Sequence, residues 1–489
     1  MDNNNYKNNV LSNMLWKFAE RSGAQIVQFV VSIILARILA PEAYGTVALI
    51  TVFTTIFQVF IDNGLGNALI QKKDTDELDF STVFYTNIVF CIILYGIIYC
   101  IAPVIAIFYR DSSLTILVRV LSVTLLISGI KNVQQAYVAK KMMFKKFFFS
   151  TLGGTIVAGI IGIIMALKGY GVWALIVQQL TNLLIGTIIL WITVKWRPQL
   201  QFSFHRLKDL FSFGWKLLIA SLIDTIYKDL QQLVIGKKYS SIDLAYYDKA
   251  KQFPNLIVTN INTTIDSVLL PTMSNVQDDK EKVKNMTRKS IKTSIFIMAP
   301  LMMGLAFTGN NVIEILLTEK WLEAVPYLYV FCLTYMFHPI HTANLNAIKA
   351  MGRSDLFLKL EIVKKIIGVL LLIITMNISV KAMAYSLIIS SIFSQIINAW
   401  PNKKLLKYGY LEQLKDILPS IFLAVIMGLI VSIFNMLNIP IILKLIMQVI
   451  CGGIIYILGA ILLKIDVFYF LVNEIKNMFL KRKTRKNEG

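Results

Sequence analysis

Charged residues are scarce in this sequence of 489 residues, since Asp, Glu, Lys and Arg together make up only 16%. A soluble protein typically carries about 25% charged residues. Apolar residues instead reach 56%, and the mean hydropathy is +0.65. Because the apolar residues come in long runs and do not alternate with polar ones, both a soluble globular enzyme and a membrane β-barrel are excluded.

Cysteine and histidine are also rare, with four and three residues. The cysteines lie inside apolar runs without CxxC spacing, so neither a disulfide framework nor a zinc site is expected. His338 and His341 lie on either side of Pro339. Because a proline breaks a helix, the spacing of the two histidines does not assure metal-ligand geometry. We therefore expect no metal and no cofactor, and we interpret this stretch as a kinked segment that lines a cavity.

Acidic residues are outnumbered by basic ones, 28 against 49, which gives a net charge of +21. In a soluble protein such a charge would suggest a nucleic-acid partner. Here the basic residues lie between apolar runs, as the positive-inside rule requires of cytoplasmic loops. We therefore expect a membrane protein that binds no nucleic acid.

The apolar runs predict fourteen membrane-spanning helices and an all-α integral membrane fold. No cleavable signal peptide is visible, because residues 1–10 are polar and Asn-rich. The loops alternate between strongly and weakly basic, which places both termini in the cytoplasm, as an even number of helices requires. We expect a multi-pass protein of the bacterial cytoplasmic (inner) membrane. The predicted spans are approximately 12–38, 43–70, 80–108, 114–139, 147–167, 171–194, 209–235, 242–273, 289–310, 322–346, 356–377, 381–401, 415–436 and 440–463.

Two pairs of stretches indicate an internal repeat. ARILAPEAYGTVAL at 36–49 parallels GKKYSSIDLAYYDKA at 236–250, and IDNGLGNALIQKKD at 61–74 parallels TIDSVLLPTMSNVQDD at 264–279. Because six helices separate the copies, we expect two lobes of the same orientation, related by an approximate two-fold axis, with a cavity between them. The predicted divisions are an N-terminal lobe (1–200), a C-terminal lobe (201–404), two further spans (405–465) and a basic amphipathic cytoplasmic tail (466–489).

Several stretches resemble the polysaccharide transport family, in particular Wzx-type oligosaccharide flippases of the multidrug/oligosaccharidyl-lipid/polysaccharide (MOP) exporter superfamily. The resemblance covers about residues 12 to 410, and it is carried by the order and spacing of the matching stretches. They include LARILAPEAYG (35–45), DNGLGNALIQKKD (62–74), GYGVWALIVQQL (169–180), GKKYSSIDLAYYDKAKQFPNL (236–256) and EKWLEAVPYL (319–328).

The resemblance implies a transporter and not an enzyme. Its substrate would be an oligosaccharide linked to a polyprenyl pyrophosphate of the undecaprenyl type, carried between leaflets by alternating access. The product would serve exopolysaccharide, capsule or O-antigen biosynthesis. Membrane lipids and a polysaccharide polymerase are the further partners considered, and a monomer is expected.

Ionisable residues inside the spans are the candidates for substrate binding, because a pyrophosphate cannot cross bare hydrocarbon. Arg21 and Lys216 lie in equivalent helices of the repeat, so we expect them to face one cavity as a phosphate-binding pair. Arg119, Lys131 and Lys228 are further candidates for substrate binding. For Lys216 the alternative is a side chain that extends to the membrane interface.

Four acidic residues are candidates for gating or ion coupling. Glu20 precedes a predicted phosphate-binding arginine, and a local ion pair is the alternative. Asp224 lies four residues before Lys228 on one helix face, so the two can form a gate or a static pair. Asp62 and Asp266 lie near helix ends, where capping of the next turn is the simpler interpretation.

A second hypothesis is a multidrug or small-cation exporter of the same superfamily. Such an exporter needs an acidic cavity, whereas the ionisable residues within these spans are mainly basic or paired. A membrane polymerase or glycosyltransferase needs a large loop or a nucleotide-sugar domain, and no connection is long enough for either. A channel is disfavoured because no filter-like loop is present.

Overall fold

The computed structural model describes residues 23–62, 65–72 and 74–487. These ranges are built of helices and their connections, with no strand among them. Within this part of the chain, nine helical segments are long and apolar enough to cross a membrane. The all-α membrane fold predicted from the apolar runs is therefore confirmed.

Contacts within the chain divide it into two compact units, Met1–Ala245 and Tyr246–Gly489. The described part of the first unit consists mainly of nine helices. They are α1 (Gly23–Ile38), α2 (Pro41–Asp62), α3 (Leu65–Gln71), α4 (Glu77–Tyr109), α5 (Leu114–Leu121), α6 (Val123–Lys140), α7 (Phe144–Leu167), α8 (Val172–Thr193) and α9 (Phe204–Lys238).

The helix that follows begins in the first unit and continues into the second. It is α10 (Ser241–Ser274). Short 3-10 turns precede α13 and follow α17 in the second unit, at Glu319–Ala324 and Phe434–Met436. The other helices of the second unit are α11 (Lys280–Phe307), α12 (Gly309–Leu317), α13 (Val325–Met336), α14 (His338–Ala350), α15 (Ser354–Thr375), α16 (Val380–Leu405), α17 (Tyr410–Ile433), α18 (Ile441–Leu462) and α19 (Asp466–Asn487).

Some of the predicted spans are divided in the structure. The span predicted at 322–346 is divided at Phe337, just before Pro339, so the break expected from this proline is confirmed. The span predicted at 114–139 is divided at Ser122, whose hydroxyl donates a hydrogen bond of 2.7 Å to the Val118 carbonyl. A side-chain hydrogen bond of this kind competes with the regular helical ladder.

Helix α9 packs with the first unit, although the repeat places it at the start of the second half. The Tyr109 hydroxyl at the end of α4 donates a hydrogen bond of 3.3 Å to the Leu233 carbonyl. At the opposite end, the Arg206 guanidinium lies 3.2 Å from the Asp76 carboxylate. These two contacts show that α9 packs against the first unit at both of its ends. The predicted boundary between the two symmetric lobes at residue 200 is a separate matter and stays a prediction.

Basic connections of the first unit gather at one end around a buried carboxylate. Asp79 is fully buried, with Lys72 Nζ at 2.6 Å and an Arg206 nitrogen at 3.6 Å. Asp76 and Asp79 form a reciprocal capping box at the start of α4. Lys140 donates to the carbonyls of Leu69, at 3.1 Å, and Lys72. We call Lys72, Asp76, Asp79, Lys140 and Arg206 the basic-end cluster.

The second unit joins one set of its helix ends mainly with neutral side chains. Asn344 and Gln413 exchange hydrogen bonds of 2.8 and 2.9 Å, and Asn402 donates one of 2.7 Å to Asn344. Arg288 of α11 reaches Asp416 of α17 at 2.7 Å. In each unit, therefore, basic connections that are distant in sequence share one end, as the alternating loop charges predicted.

A charged cluster inside the membrane spans as the candidate functional site

Asp62, the last residue of α2, is surrounded by polar side chains from neighbouring spans. Gln58 and Asn132 donate hydrogen bonds to its Oδ1 at 3.0 and 3.4 Å. Lys131, the sequence neighbour of Asn132 on α6, is close enough for its charge to influence the same carboxylate. Asn87 on α4 donates to the Asn132 side-chain oxygen at 3.4 Å. We call these five residues the intramembrane cluster.

The intramembrane cluster has a buried wall and an open face. Asn87 and Asn132 are only 4% and 8% exposed, whereas Asp62 is exposed. Inside a bilayer, polar groups are tolerated where they are buried in protein or line a water-filled cavity. The exposed carboxylate therefore marks the side of the cluster that a ligand or water can approach.

Two glycines allow the helices to close around this cluster. A Cβ at Gly66 would lie 2.5 Å from the Asn132 side-chain oxygen, so a larger residue would displace that amide. A Cβ at Gly186 on α8 would lie 3.2 Å from Lys131 Nζ and 3.3 Å from the Ser150 carbonyl oxygen. Because glycine has no side chain, both positions leave room for Lys131 and Asn132, the two α6 residues beside Asp62.

Residues 34–326, more than half of the chain, match the family described as polysaccharide biosynthesis protein. The chain belongs to this family. The resemblance to the polysaccharide transport family, stated from the sequence stretches, is therefore confirmed. The family also makes this chain a transport-class, multi-pass membrane protein and not an enzyme.

Curated relatives extend the match over most of the chain. The teichuronic acid biosynthesis protein TuaB of Bacillus subtilis (strain 168) is 25% identical over 86% of this chain and 88% of its own length. The lipopolysaccharide biosynthesis protein WzxC of Escherichia coli (strain K12) is 23% identical over 70% of this chain and 69% of its own.

Solved structures show the same fold. The lipid II flippase MurJ in an inward closed conformation superposes with a TM-score of 0.76 at 16% identity, covering 93% of this chain and 99% of MurJ. An inward-facing multidrug resistance MATE transporter of the MOP superfamily gives 0.62 at 14% identity, over 80% and 99% of the two chains.

Of the predicted site residues, Asp62 and Lys131 lie in the same part of the first unit, close enough for the charge of the lysine to influence the carboxylate. Asp224 and Lys228 form the ion pair expected from their spacing, at 2.6 Å on α9, with side chains 40% and 68% exposed. Asp266 lies on an exposed part of α10 in the second unit. The roles of these residues in binding, gating or coupling stay predictions.

No contact described in the structure links the remaining predicted residues to the intramembrane cluster. Arg119 lies against α4, with its guanidinium 3.9 Å from the centre of the Tyr99 ring and a hydrogen bond of 3.2 Å to the Tyr99 carbonyl. Glu20 and Arg21 lie outside the described residues. Lys216 is part of α9, but its side chain lies outside the described part of the structure.

The sequence reasoning missed the amides of the cluster, Gln58, Asn87 and Asn132. Each is a polar residue within an otherwise apolar span, which was the available signal. It also missed Lys249 on α10, which is only 5% exposed and lies 5.9 Å from the centre of the Trp321 ring. Its burial makes Lys249 a structural cation of the second unit rather than a residue open to substrate.

The two histidines of the kinked segment carry no metal geometry. Asn398 donates to Nδ1 of His341 at 3.1 Å, so this nitrogen accepts a hydrogen bond in the neutral imidazole. The His338 ring lies 6.0 Å from the His341 ring. Across the described residues, no three His, Cys, Asp or Glu side chains are placed to hold a metal ion.

The intramembrane cluster places a carboxylate and an ammonium among neutral amides. Each of the two charged groups can bind a ligand of opposite charge in exchange for its present partners. Lys131 is suited to a phosphate oxygen as a point charge, and Asp62 to a proton or a cation. Such an exchange suits a protein that moves a charged ligand.

Proposed function

We propose that this protein is a flippase that moves polyprenyl-pyrophosphate-linked oligosaccharide across the cytoplasmic membrane by alternating access. Both termini would face the cytoplasm, and the product would serve exopolysaccharide, capsule or O-antigen synthesis. The observation that carries the proposal is the family match over residues 34–326, whose relatives are named for polysaccharide biosynthesis.

The intramembrane cluster supports the proposal by offering a cation within the spans. In the unloaded state, the Asp62 carboxylate offsets the charge of Lys131, which reduces the cost of placing an ammonium in a membrane. A pyrophosphate would replace Asp62 as the partner of Lys131, and protonation or hydration of Asp62 would accompany that replacement. When the substrate leaves, the original interaction forms again.

Depletion of the protein in its native host tests the proposal. We expect polyprenyl-pyrophosphate glycans to accumulate in the cytoplasmic leaflet, as judged by lipid profiling with sidedness probed in everted vesicles. In complementation, the transport rate of Lys131→Met and of Asp62→Asn should be at least tenfold below that of the wild type. Each variant loses one electrostatic partner, and a loss of about 1.4 kcal/mol corresponds to a factor of ten. Lys168→Met, in the loop between α7 and α8, is the matched control and should complement fully.

One outcome would contradict the flippase proposal, and another would contradict only the assignment of its substrate site. If depleted cells do not accumulate such lipids but become sensitive to cationic dyes, the small-cation exporter becomes the better hypothesis. If the lipids accumulate but Lys131→Met complements as well as Lys168→Met, the flippase assignment stands and the intramembrane cluster is not its substrate site.

A further inference from the structure

A cationic cleft opens between the start of α11 and the start of α19 in the second unit. Its volume is about 280 Å³. Arg288, Lys289 and Lys292 supply the wall on α11, while Val467 and Phe470 supply an apolar wall on α19. Nothing in the transport mechanism uses these residues.

The first turn of α19 is fixed against α11, so the cleft has a defined shape. Phe470 lies with its ring centre 3.6 Å from Lys289 Nζ, and Phe468 packs on Phe296 with ring centres 6.4 Å apart. Val467 is buried, with 6% exposure. These contacts hold the apolar wall opposite the basic wall.

The three cations of the cleft differ in how firmly they are held. Arg288 is bound to Asp416 at 2.7 Å, and the Asp416 side chain is only 7% exposed, so this pair belongs to the framework. Lys292 lies 3.3 Å from Asp466, whose side chain is 86% exposed. An ion pair with one partner so exposed contributes little and is readily replaced. Lys292 can therefore bind an incoming anion in place of Asp466, and Lys289 lies one helical turn earlier, against the Phe470 ring.

The cleft lies close to the end of an apolar helix. Helix α18 is an apolar span that ends at Leu462, and α19 begins at Asp466. Leu462 and Leu463 are 81% and 53% exposed, so an apolar surface lies a few residues from the cleft. A molecule in the cleft can thus place a charged group on the lysines and an apolar part along the end of α18.

We propose that this cleft binds the phosphodiester headgroup of an anionic phospholipid, such as a phosphatidylglycerol. Lys289 and Lys292 contact the phosphate oxygens, and Asn285 and Thr293 at the rim supply neutral hydrogen-bond donors. The glycerol and the start of the acyl chains lie along the apolar wall. Basic pockets between helices at the membrane surface recognise anionic headgroups by this combination of charge and apolar contact.

Lipid binding can be measured on the purified full-length protein. Native mass spectrometry in detergent would count bound lipids while palmitoyl-oleoyl phosphatidylglycerol or phosphatidylcholine is added. We expect the wild-type protein to retain phosphatidylglycerol. The double variant Lys289→Gln/Lys292→Gln should bind this lipid roughly tenfold more weakly, since each surface cation strengthens anionic-lipid binding severalfold.

The matched control is Lys280→Gln/Lys284→Gln, which removes the same charge from the same helix outside the cleft. It should keep the wild-type affinity within about twofold. Equal losses in both variants would overturn the proposal, because the whole basic end would then attract lipid without a site. If inorganic phosphate at equal concentration displaces the bound lipid, the cleft binds a soluble anion instead, which also overturns the lipid assignment. Thermal unfolding of each variant without added lipid verifies that the fold is intact.

Discussion

Asp79 and Asp62 belong to the same compact unit, yet they occupy opposite kinds of surroundings. Asp79, in the basic-end cluster, is fully buried and has a lysine at 2.6 Å and an arginine at 3.6 Å. Asp62, in the intramembrane cluster, is exposed and accepts its hydrogen bonds from the neutral amides of Gln58 and Asn132. One carboxylate is enclosed by cations, and the other is supported by amides and left open.

This difference separates a structural charge from one that can change partners. A buried carboxylate with close cations cannot lose either without a large penalty, because the remaining charge would stay out of water. An exposed carboxylate among amides can exchange a proton or a counterion at little cost to folding. We therefore expect the basic-end cluster to determine stability and the intramembrane cluster to determine transport.

The largest effect on stability is expected for Lys72→Met. It removes the cation at 2.6 Å from Asp79 and leaves a fully buried carboxylate with a weaker partner. The free energy of unfolding should fall by about 3 kcal/mol, measured by denaturant or thermal unfolding in detergent. Lys141→Met changes an exposed lysine of the same basic end and should stay within about 0.5 kcal/mol of the wild type. Similar losses in both would refute a special role for Asp79.

An intermediate effect is expected for Gly66→Ala. The added Cβ would lie 2.5 Å from the Asn132 side-chain oxygen, so the amide must move away from Asp62 and Asn87. We expect a loss of about 1–2 kcal/mol in stability, together with a decrease in transport in the complementation assay. Gly96→Ala on α4 provides the control, because a Cβ there meets no atom within 4 Å. If the two alanine variants behave alike, the close packing at Gly66 does not shape the cluster.

A smaller effect on folding is expected for Asp62→Asn. The asparagine oxygen can still accept from Gln58 and Asn132, and the position is exposed. Its unfolding free energy should change by less than about 1 kcal/mol, while transport falls at least tenfold as proposed above. Side-by-side unfolding curves of Asp62→Asn and Asp79→Asn would test the comparison directly. It fails if Asp62→Asn is the more destabilising of the two.

The smallest effect is expected for Asp76→Asn at neutral pH. The backbone N–H of Asp79 and the Arg206 guanidinium lower the pKa of the Asp76 carboxyl group. A lowered folded-state pKa contributes stability above the unfolded pKa of about 3.9, and this contribution is lost as the pH falls through the folded pKa. Asparagine retains the cap, so stability at pH 7 should change by only a few tenths of a kcal/mol. Melting temperatures recorded from pH 7 to pH 3 should fall less steeply in the variant, and an unchanged acid slope would refute this assignment.

The amino-acid sequence was enough to predict the class of fold and the helix break before Pro339, but not the division at Ser122. Apolar runs of sufficient length specify membrane helices whatever their neighbours are, because the backbone must satisfy its own hydrogen bonds in hydrocarbon. Pro339 lacks an N–H, so the division between α13 and α14 could be predicted locally. The loop charges predicted which connections share one end, and contacts such as Arg288 with Asp416 agree.

Helix packing fixed which polar residues meet. Asp62 and Lys131 were both candidates, but α2 and α6 had to pack before their charges could interact. The direction of Arg119 toward Tyr99 likewise depended on the rotation of α5 against α4. Helix packing fixes rotation and depth through the small residues at each contact, such as Gly66 and Gly186, and those contacts join positions far apart in the chain. A linear pattern of hydropathy carries no information about that pairing.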